Sequence, residues 1–283
     1  TRRSSDLMYL YTAGATGLDA SMPPWVQEGG YDKWAERLRD PAIRAKVAAD
    51  MKAQNPTWEN LLQRAGPDGL LFLAFHNPAL RGYIGKTLTE VARDRNTSPE
   101  EAAMQLVVED GSRVGVAYFL MSEDNIRRQV ALPWVSFGSD AGAPAPEGIF
   151  LESAEHPRAY GNFVRVLGKY ARDEKVITLQ EAVRKLSALP AATLSIPERG
   201  HLKEGYYADV VVFDPATVAD HATYEKPHQL STGVTDVWIN GMRALKDSEA
   251  TKAPSGRFVR GRAVRNDAGG GCRSRASDWT WSP

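Results

Sequence analysis

The sequence predicts an α/β fold, about half of an eight-stranded barrel with a helical insertion, followed by a small β module. Three observations carry this expectation. Between residues 70 and 189, short apolar runs alternate with capped helical stretches, and strands separated by helices imply βαβ units and a parallel sheet. One apolar run, Trp134-Val135-Ser136-Phe137, stops at Gly138-Ser139-Asp140, where small residues expose a carboxylate at the C-terminal end of a buried strand. In an α/β barrel that is the catalytic end. After Gly200 the signals become those of β-strands, and Asn240-Gly241 between two of them is a strong two-residue hairpin turn.

Taken in order, residues 7–11 form a core strand, and Thr12 to Gly17 opens a loop into the turn-rich segment Met22-Pro23-Pro24-Trp25. The chain opens on Thr1, not Met, and enters this strand without a preceding partner, which leads us to expect a start in mid-domain. Helices follow at 31–39 and 41–51, the second with Asp40 as cap and Pro41 in its first turn. A strand is expected at 70–74, helices at 87–93 and 99–108, and Ser98 with Glu101 reads as a capping box for the latter. A strand at 115–120, a helix at 123–130 capped by Ser122, the Trp134 strand, and helices at 159–172 and 179–189 complete the alternation. This makes about four parallel strands, half of an eight-stranded barrel. Strands at 205–213 and 234–245 form the β module, and the Gly- and Arg/Ser-rich tail lacks apolar periodicity and reads as disordered. The expected divisions are 1–12, a barrel strand; 13–68, a mostly helical insertion; 69–200, the second half of the barrel; 201–261, the β module; and 262–283, the tail.

Composition narrows the function classes. The 283 residues hold 35 Lys plus Arg against 35 Asp plus Glu, so no net field favours nucleic acid or an anionic membrane. Seven tryptophans are scattered without basic residues between them, which gives no base-stacking surface. Cys272 is the single cysteine, so no intrachain disulfide or cysteine metal cluster is expected. No run approaches a membrane span, and a reducing, cytoplasmic setting is the default expectation. Neither a Walker nor a Rossmann phosphate loop is present.

Tyr11-Thr12-Ala13-Gly14, Pro23-Pro24-Trp25-Val26-Gln27-Glu28-Gly29, Gly138-Ser139-Asp140, His156-Pro157-Arg158-Ala159-Tyr160-Gly161, the stretch from Leu202 to Pro215, and Val237-Trp238-Ile239-Asn240-Gly241 resemble, in order, the N-acyl-D-amino-acid deacylases of the amidohydrolase superfamily. The resemblance runs over residues 7–260 and implies the C-terminal half of a metal-dependent (β/α)8 barrel with a helical insertion, then a small β-sandwich module. It also implies zinc in the full-length enzyme. The family's His-x-His is absent here, so most ligands are expected to lie outside this chain, either on a missing N-terminal half or on another chain.

By the same resemblance Asp140 shuttles a proton between the attacking water and the leaving nitrogen, Arg158 grips the substrate's α-carboxylate, and Tyr9 assists it. A guanidinium suits that task because it pairs bidentately with a carboxylate. The alternative readings are that Asp140 caps a turn and that Arg158 forms a surface ion pair. A family position that is often serine is Ala15 here. His156 either orders the site loop or touches substrate. His76, after a strand, is the best metal candidate by position, yet family ligands do not align there; His201, His221 and His228 read as structural. The expected substrate is an N-acyl-D-amino acid. Alternatives are a cyclic-amide hydrolase of the dihydroorotase or hydantoinase kind, and a non-catalytic fragment that pairs with an N-terminal half or with itself.

Overall fold

In the computed structural model, which describes residues 6–54 and 57–259, two strands far apart in sequence lie side by side and parallel. These are β1 (Asp6–Met8) and β5 (Val135–Phe137), in register as Asp6 to Val135 and Met8 to Phe137. Their C-terminal ends point the same way, and Gly138 N–H continues the ladder to the Met8 carbonyl at 3.0 Å. Asn162 ties the two ends together: its Oδ1 accepts from Leu10 N–H at 2.8 Å and its Nδ2 donates to the Gly138 carbonyl at 3.0 Å.

The chain between them departs from the parallel pattern. β2 (Ala13–Gly17), β3 (Leu70–Ala74) and β4 (Gly115–Phe119) form an antiparallel sheet in the order β2-β4-β3. A single helix between two strands returns the chain to a parallel start, but two consecutive helices, α5 (Leu88–Asp94) and α6 (Pro99–Asp110), separate β3 from β4. The second helix reverses direction once more, so β4 runs against β3. Of the four strands expected to be parallel, only β1 and β5 are so paired among the described residues. The loop expected at 12–17 is partly β2, because Ala15 faces Ala117 and Gly17 faces Gly115 across the ladder, a fit of small residues that carries no apolar alternation.

The α-helices between β2 and β3 are α1 (Pro24–Gln27), α2 (Tyr31–Arg37), α3 (Pro41–Lys52) and α4 (Leu61–Ala65). Asp40 caps α3 by accepting from Ala42 N–H and Ile43 N–H, as expected for Asp before Pro41. The full capping box lies at Thr87 and Glu90 on α5, whereas at Ser98 only the serine half forms. The Glu101 carboxylate is drawn instead to Arg44 on α3. Residues from Leu18 to Tyr118 build one apolar cluster around Trp34, Phe72, Leu106 and Tyr118. A second cluster joins Leu10, Ile126 and Val130 of α7 (Glu123–Ala131), β5, and Tyr170 and Val218.

After β5 the helix expected at 159–172 is α8 (Arg158–Arg165), continued as a π-helix over Val166–Asp173. The helix expected to reach 189 breaks into α9 (Leu179–Leu186) and α10 (Ala188–Thr193) at Ser187, where Pro190 has no N–H to continue the ladder. The C-terminal module is one antiparallel sheet, β6 (Val210–Phe213), β7 (Val234–Ile239), β8 (Met242–Lys246) and β9 (Glu249–Ala250). A second sheet that would make it a sandwich is absent among the described residues. Asn240 and Gly241 both have positive φ, as the hairpin turn requires. Cys272 and the tail expected to be disordered lie outside the described residues. No helix among the described residues is long and apolar enough to cross a membrane.

Candidate active site

The site forms where β1, β5 and the first turn of α8 meet. Asp140 follows β5 with φ of 48°, in the left-handed region that Asp tolerates better than most residues, and its side chain is 72 % exposed. Arg158 is the first residue of α8 and is buried, with 7 % of its surface accessible. Its Nη1 meets Asp140 Oδ2 at 2.9 Å, and its guanidinium carbon lies 4.4 Å from the centre of the Tyr9 ring. Arg158 Nε is buried with no hydrogen-bond partner among the described residues. The Nε atoms of Arg81, Arg95 and Arg165 are buried in the same way, so what distinguishes Arg158 is its contact with Asp140 and Tyr9 and not this atom alone.

Tyr9 is half-buried, and burial raises its phenol above the usual range while Arg158 opposes the shift. It stays a neutral ring beneath the cation. Its hydroxyl lies 3.4 Å from where a Cβ on Gly14 would stand, so the start of β2 borders the site. The loop from 141 to 155 spans from Asp140 to His156. Ala154 N–H pins its end to the Leu73 carbonyl at 2.7 Å, and Glu152 pairs with Arg81 at 2.9 Å.

His156 is buried beneath this pair, 4 % exposed. Its Nδ1 accepts from Arg158 N–H at 3.1 Å, which leaves the hydrogen on Nε2 to donate to the Ala13 carbonyl at 2.9 Å. The first contact satisfies one of the N–H groups that a helix start leaves unpaired, a task the preceding Pro157 cannot perform. Burial, assisted by the Arg158 charge, lowers the imidazole to about 4. Both ring nitrogens are thus occupied by backbone. Of the two roles expected for His156, the geometry matches ordering of the loop.

Sequence reasoning missed Asn162, Tyr11, Tyr224 and Asp220. Tyr11 donates to Asp220 Oδ2 at 2.7 Å, and Tyr224 accepts from Ala13 N–H at 2.9 Å. These partners lie 209 and 211 residues apart in the chain, and no local pattern announces them. The tyrosines of 9–11 and the Asn four residues after Arg158 on one helix face were the available signals.

The described residues do not fit a metal centre of their own. Among them no three His, Cys, Asp or Glu side chains come together to hold an ion, His156 has no free nitrogen, and His76 is exposed. Asp140 alone could offer a single oxygen toward a group held elsewhere.

A model of an amidohydrolase family matches residues 101–244. D-aminoacylase of Alcaligenes xylosoxydans xylosoxydans is 40 % identical over 175 residues, 62 % of this chain and 34 % of that protein. A crystal structure of D-aminoacylase superposes with a TM-score of 0.64 at 31 % identity, covering 89 % of this chain and 41 % of that one. N-acyl-D-glutamate deacylase from Bordetella bronchiseptica, solved with zinc and a phosphonate inhibitor, superposes with a TM-score of 0.60 at 29 % identity, over 85 % of this chain and 39 % of that one. The chain spans about a third of the length of the curated relative it matches (34 %).

Proposed function

The chain belongs to the amidohydrolase family, and from that membership we propose that it supplies the carboxylate clamp and the proton shuttle of an enzyme that hydrolyses N-acyl-D-amino acids. The observation that carries the reading is Arg158: a buried guanidinium stacked on Tyr9, held by one nitrogen to Asp140 and carrying an unpaired Nε. An α-carboxylate is a planar acceptor that such a fork binds with directional hydrogen bonds. In this reading the substrate's acyl carbon then lies toward the exposed Asp140 carboxylate. Asp140 takes a proton from the attacking water as the new C–O bond forms, and returns it to the amide nitrogen as the C–N bond breaks. The products are a carboxylic acid and a free D-amino acid. The zinc seen in the N-acyl-D-glutamate deacylase would here be held by residues other than the described ones. The small-molecule substrate, the setting in the cytoplasm, and pairing with a segment that completes the barrel belong to this proposal.

Arg158→Met separates the reading from the cyclic-amide alternative. It should raise KM for linear N-acyl-D-amino acids on the order of a hundredfold, the scale of a lost charged hydrogen-bond pair, and leave hydrolysis of cyclic imides untouched. Wild-type activity confined to cyclic imides, or an unchanged KM in the variant, would discard the clamp.

A further inference from the structure

His156 sits inside a construction that no substrate atom needs to touch. Three tyrosine rings surround its imidazole edge-on, with centroids 5.7 Å away for Tyr9, 5.6 Å for Tyr11 and 5.2 Å for Tyr224. Tyr9 and Arg158 face the site, but Tyr11 is anchored from the opposite direction. Its hydroxyl donates to Asp220 Oδ2, and Arg165 donates to the same oxygen at 3.1 Å while its guanidinium lies 4.7 Å over the Tyr11 ring. Asp220 Oδ1 accepts from Ala222 N–H at 2.9 Å, so both carboxylate oxygens are engaged, and the side chain is 5 % exposed.

Asp220 belongs to the connection between β6 and β7, in the C-terminal module, and three glycines admit that connection to α8 and its π-helical continuation. A Cβ on Gly161 would fall 1.9 Å from Asp220 Oδ1 and 2.3 Å from the Tyr11 hydroxyl. One on Gly168 would lie 2.7 Å from the Val218 carbonyl oxygen, and one on Gly233 would lie 2.4 Å from Val218 Cα. Residues 218–220 are therefore gripped on two sides at a distance no side chain would permit, and Arg172 adds a hydrogen bond of 2.7 Å to the Val218 carbonyl.

We propose that Asp220 is a positioning residue for the Arg158 clamp, acting through Tyr11 and His156 to set the first turn of α8. The lever is short. Asp220 fixes Tyr11, the Tyr11 ring edge fixes the tilt of the imidazole, and the imidazole Nδ1 holds the backbone N–H from which the Arg158 side chain departs. The C-terminal module thereby reaches the floor of the site with a carboxylate, although its strands lie elsewhere. This rests on the reading of Arg158 as the carboxylate clamp.

The test compares Asp220→Ala and Asp220→Asn with wild type in the naturally expressed protein. The substrates are an N-acetyl-D-amino acid and its α-carboxamide, and the His156 ring nitrogens are followed by NMR. Asp220→Ala should raise KM for the carboxylate substrate 10- to 100-fold, the scale of a displaced binding group, with kcat within a few fold and the carboxamide unaffected. The His156 signals should move from a single Nε2–H tautomer to a mixture, and Asp220→Asn, which keeps an acceptor for Tyr11, should restore most of both. Equal losses on the two substrates, or unmoved His156 signals, would overturn the proposal. If the wild type hydrolyses neither substrate, the clamp reading fails by itself, and the His156 signals alone then decide whether Asp220 sets the imidazole.

Discussion

Arg158 and Asp140 could be singled out in the sequence because each stands at a boundary, one at a helix's start and one at a strand's end, although only Asp140 is exposed there and Arg158 is buried. Asp140→Asn removes a proton acceptor without changing size, and should lower kcat on the order of 10²- to 10⁴-fold with little change in KM, read by steady-state kinetics. Which of its two expected roles His156 takes was not legible, since its partner Ala13 lies 143 residues away. Its titration gives a stability prediction with a definite sign. In the unfolded chain a histidine titrates near 6.5, and in the fold burial holds this one at about 4. Between those values the unfolded chain binds more protons, so the contribution is fully present above about pH 6.5 and is lost as pH falls toward about 4. The loss reaches about 3 kcal/mol. Urea unfolding at a series of pH values should show it, and His156→Gln should flatten that part of the profile.

At the scale of elements, several capped helices were readable because Ser, Thr or Asp before a helix start announces itself locally, as Asp40 and Ser122 do, whereas Thr87 reads in the sequence as the first residue of α5 and not as its cap. Strand β2 was not, because small residues gain their ladder only from β4. Lys185 of α9 shows the same dependence on a distant element. Its fully buried Nζ donates to the carbonyls of Val130 and Leu132, each at 2.5 Å, at the C-terminal end of α7. There the cation meets carbonyls that a helix end leaves unpaired, and burial lowers its pKa. Lys185→Met relieves a desolvated charge but strands the carbonyls, and should cost about 1–3 kcal/mol of stability in denaturant titration. An unchanged midpoint would mean that α7 finds other partners for its end.

For the whole molecule, the two large apolar clusters share no residue: one runs from Leu18 to Tyr118, and the other joins Leu10 to Ile126, Tyr170 and Val218. Leu106→Ala and Ile126→Ala, one in each, should each cost about 2–5 kcal/mol. Their effects should add within about 0.5 kcal/mol, as expected for sites without common partners. Hydrogen exchange should speed up around the first substitution within 18–118 only; acceleration spread evenly over the chain would show that the clusters unfold as one. By itself the sequence determined that β5 ends at a carboxylate, several helix caps, the hairpin at Asn240-Gly241, and an acid and a cation at the two ends of one loop, because each is written in residues close together along the chain. Tertiary structure alone decided that β3 and β4 run antiparallel, that His156 faces backbone on both nitrogens, and that Asp220 reaches Tyr11. Those outcomes depend on contacts across many tens of residues, where direction is set by the number of intervening helices and proximity by glycines that leave room for a second backbone.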